Sequence, residues 1–239
     1  KIIKLMISNF PKKIPYLTKK QLKIKDEFML YWLNNLRKNY GIIENFNHNF
    51  VVNNSDKNFL TTLEIGSGIG EHLKYEKLTK NQKKNYFAMD SRTNVLKQLK
   101  KEHPNVKTIL GDCQKKIKFK SNYFDRIIAI HVLEHLPNLP ATIKEVYRLL
   151  KNKGEFLIVI PCEGSLAYSL ARKISAERLF KKKYNMSYDW FIKTEHINLP
   201  KEIISVIEEK FTIKKTSFFP MYLPLLFCNL CIGMIFKKK

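Results

Sequence analysis

The feature that most constrains this chain is a set of three alternating glycines, Gly66, Gly68 and Gly70, in the segment 63–72. They follow a short apolar run, residues 59–65, whose length and composition predict a buried β-strand. Glycine is favoured where the backbone turns with positive φ, or where a ligand touches the main chain. A strand that ends in such a turn is where an open α/β sheet binds nucleotide-like ligands.

The spacing of these glycines distinguishes between nucleotide classes. The dinucleotide fingerprint G-x-G-x-x-G needs a third glycine that packs the helix on the strand, and counted from Gly66 that position is Glu71. The observed pattern, Glu64-x-Gly66-x-Gly68-x-Gly70, instead resembles the first motif of class I S-adenosylmethionine (SAM) dependent methyltransferases. SAM has no pyrophosphate, but its amino-acid group and sulfonium suit an acidic, glycine-lined turn. Taken alone, the motif is also compatible with a tight turn in any α/β protein.

Four further segments resemble this family in chain order. Two are short strand-like runs that lead into Asp90 and Asp112, and a third reaches His131. The four segments are 85–92, 106–113, 123–136 and 145–161. With five motifs in the family's order, the chain is identified as a member of the class I methyltransferases. It is most similar to the type 11 branch, which includes the ubiquinone and menaquinone C-methyltransferases.

The resemblance implies SAM as the cofactor and assigns several residues to its binding. Asp90 would accept hydrogen bonds from both ribose hydroxyls. Asp112, or the backbone N–H that follows it, would meet the adenine amino group. The predicted cofactor-binding residues are Glu64, Gly66, Ser67, Gly68, Gly70, Asp90, Ser91, Asp112, Cys113 and His131.

Three histidines are candidates for a general base. Methyl transfer from a sulfonium is an in-line displacement, so the protein must mainly align the reactants and exclude water. A base helps when the acceptor is a hydroxyl or an acidic carbon. We rank His131 first, then His196 and His135, although His135 could equally cap a helix and Glu195-His196 could be a surface pair. The sequence predicts no metal ligands.

Alternating strand and helix patterns predict a doubly wound, Rossmann-like α/β sheet, mostly parallel with an antiparallel last strand. Residues 1–58 are predicted to be an N-terminal helical extension or lid, and residues 59–239 the methyltransferase domain. Within that domain, residues 59–161 form the cofactor half. Residues 162–239 form the substrate half, with an insertion at about 165–200.

Two helices are predicted near the cofactor half. Apolar spacing indicates a helix over residues 21–40, and Gly41 is a plausible C-terminal stop. Residues 71–84 should form the first helix after the glycine turn. The stretch 40–48 is predicted either to lid the cofactor or simply to pack on the sheet as a helix and turn.

The substrate half contains less regular segments. Residues 181–200 are aromatic, basic and irregular, which is typical of a functional loop. Residues 219–227 form an apolar loop between the last two strands, and their two prolines exclude a transmembrane helix. This loop either lies buried at the sheet edge or touches a membrane or an apolar substrate. Cys228 and Cys231 form a lone C-x-x-C pair, which favours buried thiols over a zinc or redox site.

The net charge of +23 leaves the partner open. Such a charge suggests nucleic acid or an anionic membrane. However, arginine makes the bidentate contacts that read nucleic acid, and of the 44 basic residues only positions 37, 92, 126, 148, 172 and 178 are arginine. Compositional drift, contact with anionic lipid and RNA binding all remain compatible with this composition.

These observations predict a SAM-dependent methyltransferase of a small-molecule or lipid- or sugar-linked acceptor, methylated on oxygen. The alternatives are an RNA methyltransferase that uses its basic surface and a non-catalytic scaffold with the same fold. We expect a basic, cytoplasmic protein with peripheral contact at the inner membrane surface. Nucleic acid is a less favoured partner, because the loop after the fourth strand lacks an Asn-Pro-Pro-Tyr-type motif.

Overall fold

The computed structural model describes residues 9–239, apart from the side chains of residues 32–40. The strands in this part of the chain are β1 (Thr62–Ile65), β2 (Tyr86–Asp90), β3 (Lys107–Leu110), β4 (Phe124–Ile130), β5 (Leu150–Pro161), β6 (Phe211–Phe219) and β7 (Cys231–Lys238). They form one sheet in the order β3-β2-β1-β4-β5-β7-β6, in which β7 alone runs antiparallel to the other strands. The predicted fold class is therefore confirmed.

Helices cover both faces of the sheet. The α-helices in the described chain are α1 (Lys19–Asn54), α2 (Lys80–Lys84), α3 (Thr93–Glu102), α4 (Leu139–Leu149), α5 (Leu166–Arg172), α6 (Arg178–Tyr184), α7 (Asp189–Glu195) and α8 (Pro200–Glu208). On one face, α4 and α8 bury residues such as Ile143 and Ile203 against the strands. On the other face, Phe50 of α1 and Leu99 of α3 pack against the strands.

Helix α1 is longer than the sequence predicted, because Gly41 does not end it. The helix begins at a capping box formed by Thr18 and Gln21 and continues to Asn54. Glycine within a helix costs only about 1 kcal/mol relative to alanine. The apolar residues beyond it, including Phe50 and Val51, are buried against the sheet. That burial outweighs the glycine penalty, since each large side chain contributes roughly 1.5–3 kcal/mol.

The predicted first helix over residues 71–84 is also wrong. A 3-10 turn, His72–Lys74, follows the glycines, and α2 starts only at Lys80. Glu76 accepts bonds from His72 and Arg126, so its side chain is held against the sheet. Thr79 then caps a new helix in a capping box with Gln82.

Residue Arg126 is the centre of a buried polar network at the start of β1. It is 1% exposed and contacts Glu76 at 2.5 Å. Its guanidinium also donates to Thr62 Oγ1 at 2.9 Å and to Ser55 Oγ at 3.1 Å, and its Cζ lies 3.5 Å from the centroid of the Phe59 ring. The network therefore joins the end of α1 to β1 and β4.

The predicted insertion at about 165–200 forms a small helical cap. Helices α5 and α6 are joined by a π-helical turn, Lys173–Glu177, and α7 follows. Residues 181–200 are therefore more helical than predicted, because Phe180, Tyr188 and Phe191 bury their rings against Phe28 of α1. The cap and the N-terminal half of α1 share one aromatic cluster.

The N-terminal extension is held by contacts of Lys12 before α1 begins. Residues 1–8 of the predicted extension lie outside the described residues. Lys12 N–H donates to Pro137 O at 2.8 Å, and Lys12 Nζ contacts Glu202 at 2.7 Å. This segment therefore ties the extension to the loop after β4 and to α8.

Candidate active site

The three glycines form a tight turn directly after β1, as predicted. Gly66, Gly68 and Gly70 have φ angles of 68°, 53° and 88°, a left-handed region that side chains rarely adopt. A Cβ on Gly66 would lie 2.3 Å from Val132 Cγ2, so β1 and the loop after β4 approach through this glycine. A Cβ on Gly68 would meet no atom within 4 Å, so the backbone there borders open space.

Asp90 lies at the end of β2 and faces this turn. The Gly68 N–H donates to its Oδ2 at 3.0 Å, and the Arg92 N–H donates to Oδ1 at 3.0 Å. The Arg92 guanidinium adds bonds of 3.0 and 3.1 Å to the two carboxylate oxygens. Asp90 is buried, whereas the Arg92 side chain is 42% exposed. The guanidinium thus holds the carboxylate that was predicted to accept the ribose hydroxyls.

Ser67 provides a direct test of whether the turn suits SAM. Its hydroxyl is buried and lacks a hydrogen-bond partner within the described chain. A buried polar atom without a partner costs about 1–3 kcal/mol, so a polar ligand at the turn would remove this cost. The orphan hydroxyl, the open space at Gly68 and the carboxylate of Asp90 together fit the predicted cofactor.

The remaining predicted cofactor residues lie at the ends of β2 and β3. Ser91 is exposed beside Asp90. Asp112 accepts bonds from Gln114 N and Nε2 at 3.0 and 3.1 Å, which order the turn after β3. Cys113 is buried, and burial raises the pKa of its thiol to about 11. This thiol stays protonated near neutral pH, so the position offers its backbone rather than a thiolate.

Glu64 lies on β1, directly before the glycine turn. Its carboxyl is buried and accepts a bond of 2.7 Å from the Tyr86 hydroxyl. Burial raises the pKa of Glu64 to about 8, although the Tyr86 bond acts in the opposite direction. The described contact is thus with the neighbouring strand β2, and a direct role of Glu64 in cofactor binding stays a prediction.

This raised pKa predicts a pH-dependent stability. Between about pH 4.5 and 8, folded Glu64 keeps a proton that the unfolded chain releases, so its contribution to stability falls as the pH rises. In Glu64→Gln this loss is absent. We expect the difference in melting temperature between the variant and the wild type to grow from pH 5 to pH 8 in favour of the variant. The exposed Glu208→Gln is the control, and an equal pH trend in both variants would contradict the assignment.

His131 lies at the end of β4 in a left-handed conformation, with φ of 52°. Its Nδ1 is 3.3 Å from Glu134 Oε1. Burial disfavours the charged imidazole, but the polar contacts with Cys231 and Glu134 outweigh it and raise the pKa of His131 well above its usual value. An imidazole that is charged at neutral pH cannot accept a proton, which weakens the prediction that His131 is the base.

The other two candidate histidines meet each other above the same edge. The ring centroids of His135 and His196 are 5.1 Å apart. His135 Nδ1 lies 2.6 Å from the main-chain oxygen of Glu195, and His196 Nδ1 lies 2.7 Å from Glu163 Oε2. Burial, the largest cause, lowers the pKa of His135, so its ring is neutral at pH 7. The structure therefore brings all three predicted histidines into one cluster.

Several residues of this cluster were not predicted from the sequence. Glu134 lies between the histidines, and those surroundings lower its pKa to about 2 in spite of burial. Glu163 bonds Arg172 as well as His196, and Tyr168 OH is 3.5 Å from His196 Nδ1. Glu134 lies on the 3-10 turn after β4, Glu163 lies between β5 and α5, and Tyr168 lies on α5, so only the fold brings them together.

The stretch 40–48, predicted as a lid, belongs to α1 and packs beside the glycine turn. The His48 ring stacks on Tyr75 at a centroid distance of 4.7 Å, and Asn45 accepts a bond from the Tyr75 hydroxyl. The N-terminal part of α1 reaches the cap, where Lys25 contacts Glu195 at 2.6 Å. Both halves of α1 thus contact elements beside the site, and a lid role for residues 40–48 stays a prediction. The side chain of Tyr40 lies outside the described residues.

Comparison with known proteins supports this geometry. The sequence model of the methyltransferase domain family, type 11, matches residues 63–158. An uncharacterized protein of Methanocaldococcus jannaschii is 38% identical over 111 residues, which are 46% of this chain and 44% of that protein. The sterol 4-C-methyltransferase strm-1 of Caenorhabditis elegans is 40% identical over 52 residues, which are 22% of this chain and 15% of that protein. The chain thus spans less than half the length of these curated relatives.

Solved structures resemble nearly the whole chain. A SAM-dependent methyltransferase of Thermotoga maritima, described as a possible histamine N-methyltransferase, has a TM-score of 0.63 at 16% identity, covering 91% of this chain and 99% of that one. A SAM-dependent methyltransferase of Archaeoglobus fulgidus has a TM-score of 0.63 at 17% identity, covering 87% and 99%. At these identities the likeness shows the fold.

The family model and the strand order agree with the resemblance that the glycine motif indicated. A further structural relative, the methyltransferase CalH in complex with S-adenosylhomocysteine, has a TM-score of 0.57 at 18% identity and covers 87% of this chain and 62% of that one. The predicted family and cofactor are confirmed. Residues 63–158, less than half of the chain, are therefore a methyltransferase domain that matches the type 11 family.

Proposed function

We propose that the protein transfers the methyl group of SAM to a hydroxyl of a small-molecule or lipid- or sugar-linked acceptor. The observation that carries this proposal is the convergence of the glycine turn, Asp90 and the histidine cluster on one sheet edge. The Gly68 N–H already bonds the Asp90 carboxylate, and Val132 of the β4 loop lies against Gly66. Cofactor turn and candidate catalytic cluster are therefore neighbours.

SAM, when bound, supplies a methyl group that is activated by its sulfonium. The protein orients it through Ser67, the glycine turn and Asp90. The cap and α1 exclude water from the reacting atoms, which strengthens the alignment of the two reactants. Because His131 is charged at neutral pH, we assign proton acceptance to the neutral His135 or to His196.

The proposal is tested by calorimetry followed by a transfer assay. SAM and S-adenosylhomocysteine should bind with one site per chain, whereas NAD and ATP should not bind. Labelled SAM is then incubated with the protein and cell extract, and labelled products are identified by mass spectrometry. NAD binding without SAM binding would refute the proposal, and a labelled RNA would replace the hydroxyl acceptor by the nucleic-acid alternative.

A lipid-linked acceptor is supported by an exposed apolar surface next to the cluster. Helix α5 and the π-helical turn that follows it present Leu166, Leu170 and Ile174 at helical spacing, and these side chains are 66%, 54% and 74% exposed. The loop between β6 and β7 contacts α5 and adds further exposed apolar residues. These are Met221, Tyr222, Leu223, Leu225 and Phe227. We call these eight residues the apolar surface.

The apolar surface and the histidine cluster share helix α5. Tyr168 of this helix points to His196, while Leu166 and Leu170 are exposed on it. Exposed basic residues follow on the next turns, including Lys173 and the run 181–183. No helix in the described ranges is apolar and long enough to span a bilayer. Apolar side chains beside lysines suit the interface of an anionic membrane, where a lipid-linked acceptor would be located.

We therefore expect weak binding to vesicles that contain phosphatidylglycerol, with a part that persists in high salt. Leu170→Ser/Ile174→Ser should abolish the salt-resistant part, because each buried apolar side chain contributes roughly 1.5–3 kcal/mol. The matched control is Leu60→Ser/Ile213→Ser, which removes exposed apolar residues outside this surface. Vesicle flotation at low and high salt measures the binding.

Two results would contradict the membrane proposal. Equal loss in the test and control variants would mean that the apolar surface is not specific. RNA binding through phosphates has a steep salt dependence, because each neutralised phosphate releases a counterion. Tight binding of this kind, with no vesicle binding, would show that the positive charge of the protein serves to bind nucleic acid. Leu226 is unsuitable for substitution, since it packs against the core.

A further inference from the structure

We propose that Glu134, His135 and His196 form a binding site for one divalent transition-metal ion. Glu134 and His135 lie on the 3-10 turn that follows β4, and His196 follows α7. One ligand atom from each residue lies within 4.8 Å of the other two. Glu134 and His135 are adjacent, but His196 lies far along the chain, which explains why no ligand spacing was recognised.

The carboxylate of Glu134 points to a missing partner. The residue is 1% exposed, and both of its carboxylate oxygens are buried without a hydrogen-bond donor in the described chain. His131 Nδ1 and His135 Nε2 lie 3.3 and 3.8 Å from Oε1, outside hydrogen-bond geometry. These histidines thus give Glu134 only ion-pair contacts, and a buried carboxylate whose oxygens accept no hydrogen bond is costly. A cation between the carboxylate and the two imidazoles would lower that cost.

The two histidines are oriented as metal ligands are. His135 Nδ1 faces the main-chain oxygen of Glu195, and His196 Nδ1 faces the Glu163 carboxylate. Each Nδ1 therefore carries the proton, and each Nε2 keeps its lone pair. Metal-bound histidines almost always donate their other N–H to a carboxylate or a carbonyl in this way.

The ligand set selects the class of metal. Two imidazoles and one carboxylate suit zinc, iron, cobalt or nickel, whereas magnesium and calcium prefer oxygen ligands. Three protein ligands leave at least one coordination position for a water or an acceptor oxygen. The His135 ring is 30% exposed, so that position is accessible from solvent.

The metal site rests on the proposed methyl transfer for its chemical role. An ion held by Glu134, His135 and His196 would make a bound hydroxyl lose its proton more readily. The two imidazoles would then act as ligands of the ion, and neither would serve as the base. The acceptor oxygen forms the new O–CH3 bond while the S–CH3 bond breaks. The bonding pair stays on sulfur and gives S-adenosylhomocysteine, and the hydroxyl proton passes to solvent water.

The test is a Co²⁺ titration of the metal-stripped full chain, followed by visible absorption. We expect one Co²⁺ per chain and displacement by Zn²⁺. Glu134→Gln, His135→Gln and His196→Gln should abolish this binding. Glu163→Gln should weaken it about 10–100-fold, because it replaces the carboxylate that orients His196 and leaves all three ligands in place. Circular dichroism and melting temperature verify that each variant is folded.

Two matched variants exclude other ligands. His103→Asn removes a histidine outside the cluster and should bind Co²⁺ as the wild type does. Cys228→Ser should also leave binding unchanged, and the spectrum should lack the near-ultraviolet band of a thiolate ligand. Wild-type protein without bound Co²⁺, or binding that survives His135→Gln and His196→Gln, would overturn the site. So would binding lost in Cys228→Ser.

Experiments can refute the metal site and the proposed function independently of each other. SAM binding by the metal-stripped protein is measured by calorimetry. Methyl transfer that is equal with and without a chelator, in a protein that binds no Co²⁺, would refute the metal site and leave methyl transfer standing. Stoichiometric Co²⁺ binding by a protein that binds no SAM would support the site and refute the proposed function.

Discussion

Replacing Asp90 with alanine should weaken SAM binding at least about tenfold. The carboxylate would accept the ribose hydroxyls through charge-assisted bonds of roughly 1.5–3 kcal/mol each, and about 1.4 kcal/mol corresponds to a factor of ten. Isothermal calorimetry measures the change. We also expect the melting temperature of Asp90→Ala to fall, because the N–H groups of Gly68 and Arg92 lose their hydrogen-bond acceptor. An unchanged SAM affinity would show that the ribose is held elsewhere.

Arg92→Ala is the counterpart of this substitution. It removes the guanidinium that lies on the Asp90 carboxylate and leaves the carboxylate itself in place. SAM affinity should therefore rise, by a small factor, because a half-exposed ion pair contributes only about 0–1 kcal/mol. A loss of affinity would instead identify Arg92 as a ligand of the cofactor.

The largest change in stability is expected for Arg126→Met. The substitution leaves the Glu76 carboxylate, which is 5% exposed, without its arginine partner. Breaking a buried ion pair by removing one partner costs about 3–5 kcal/mol. The urea midpoint should fall accordingly while the slope of the transition stays constant.

A double variant separates the buried charge from lost packing. Arg126→Met/Glu76→Gln removes both charges and should recover most of the stability. Lys181→Met breaks an exposed ion pair with Glu177 and should leave the midpoint unchanged. If the double variant is as unstable as Arg126→Met, the loss arises from packing, including the contact with the Phe59 ring, rather than from the uncompensated carboxylate.

The sheet and the cofactor turn could be predicted because their signals are local. The three glycines and Asp90 each lie at the end of an apolar run, and parallel strands bring such ends to one edge. The end of α1 could not be predicted from Gly41, because the packing of Phe50 and Val51 on the sheet depends on the tertiary fold.

The histidine cluster was only partly predictable. His131, His135 and His196 were named as candidates, but their ranking requires the burial and the neighbouring charges of the folded chain. Glu134 carries the strongest signal, a buried carboxylate without a hydrogen bond, and nothing in the local sequence shows that burial. Residues of the cap reach the site through contacts over long sequence distances.

Helix α1 makes the cap and the sheet mechanically dependent on each other. Phe28 belongs to the aromatic cluster of the cap. Phe50 lies about two and a half helical turns beyond Gly41 and packs against Gly233 of β7 so closely that a Cβ on Gly233 would lie 2.5 Å from its ring. If α1 stays rigid, lifting of the cap also pulls Phe50 away from its contact with Gly233. Lifting of the cap therefore requires either that α1 bends between its two anchors or that one anchor is released.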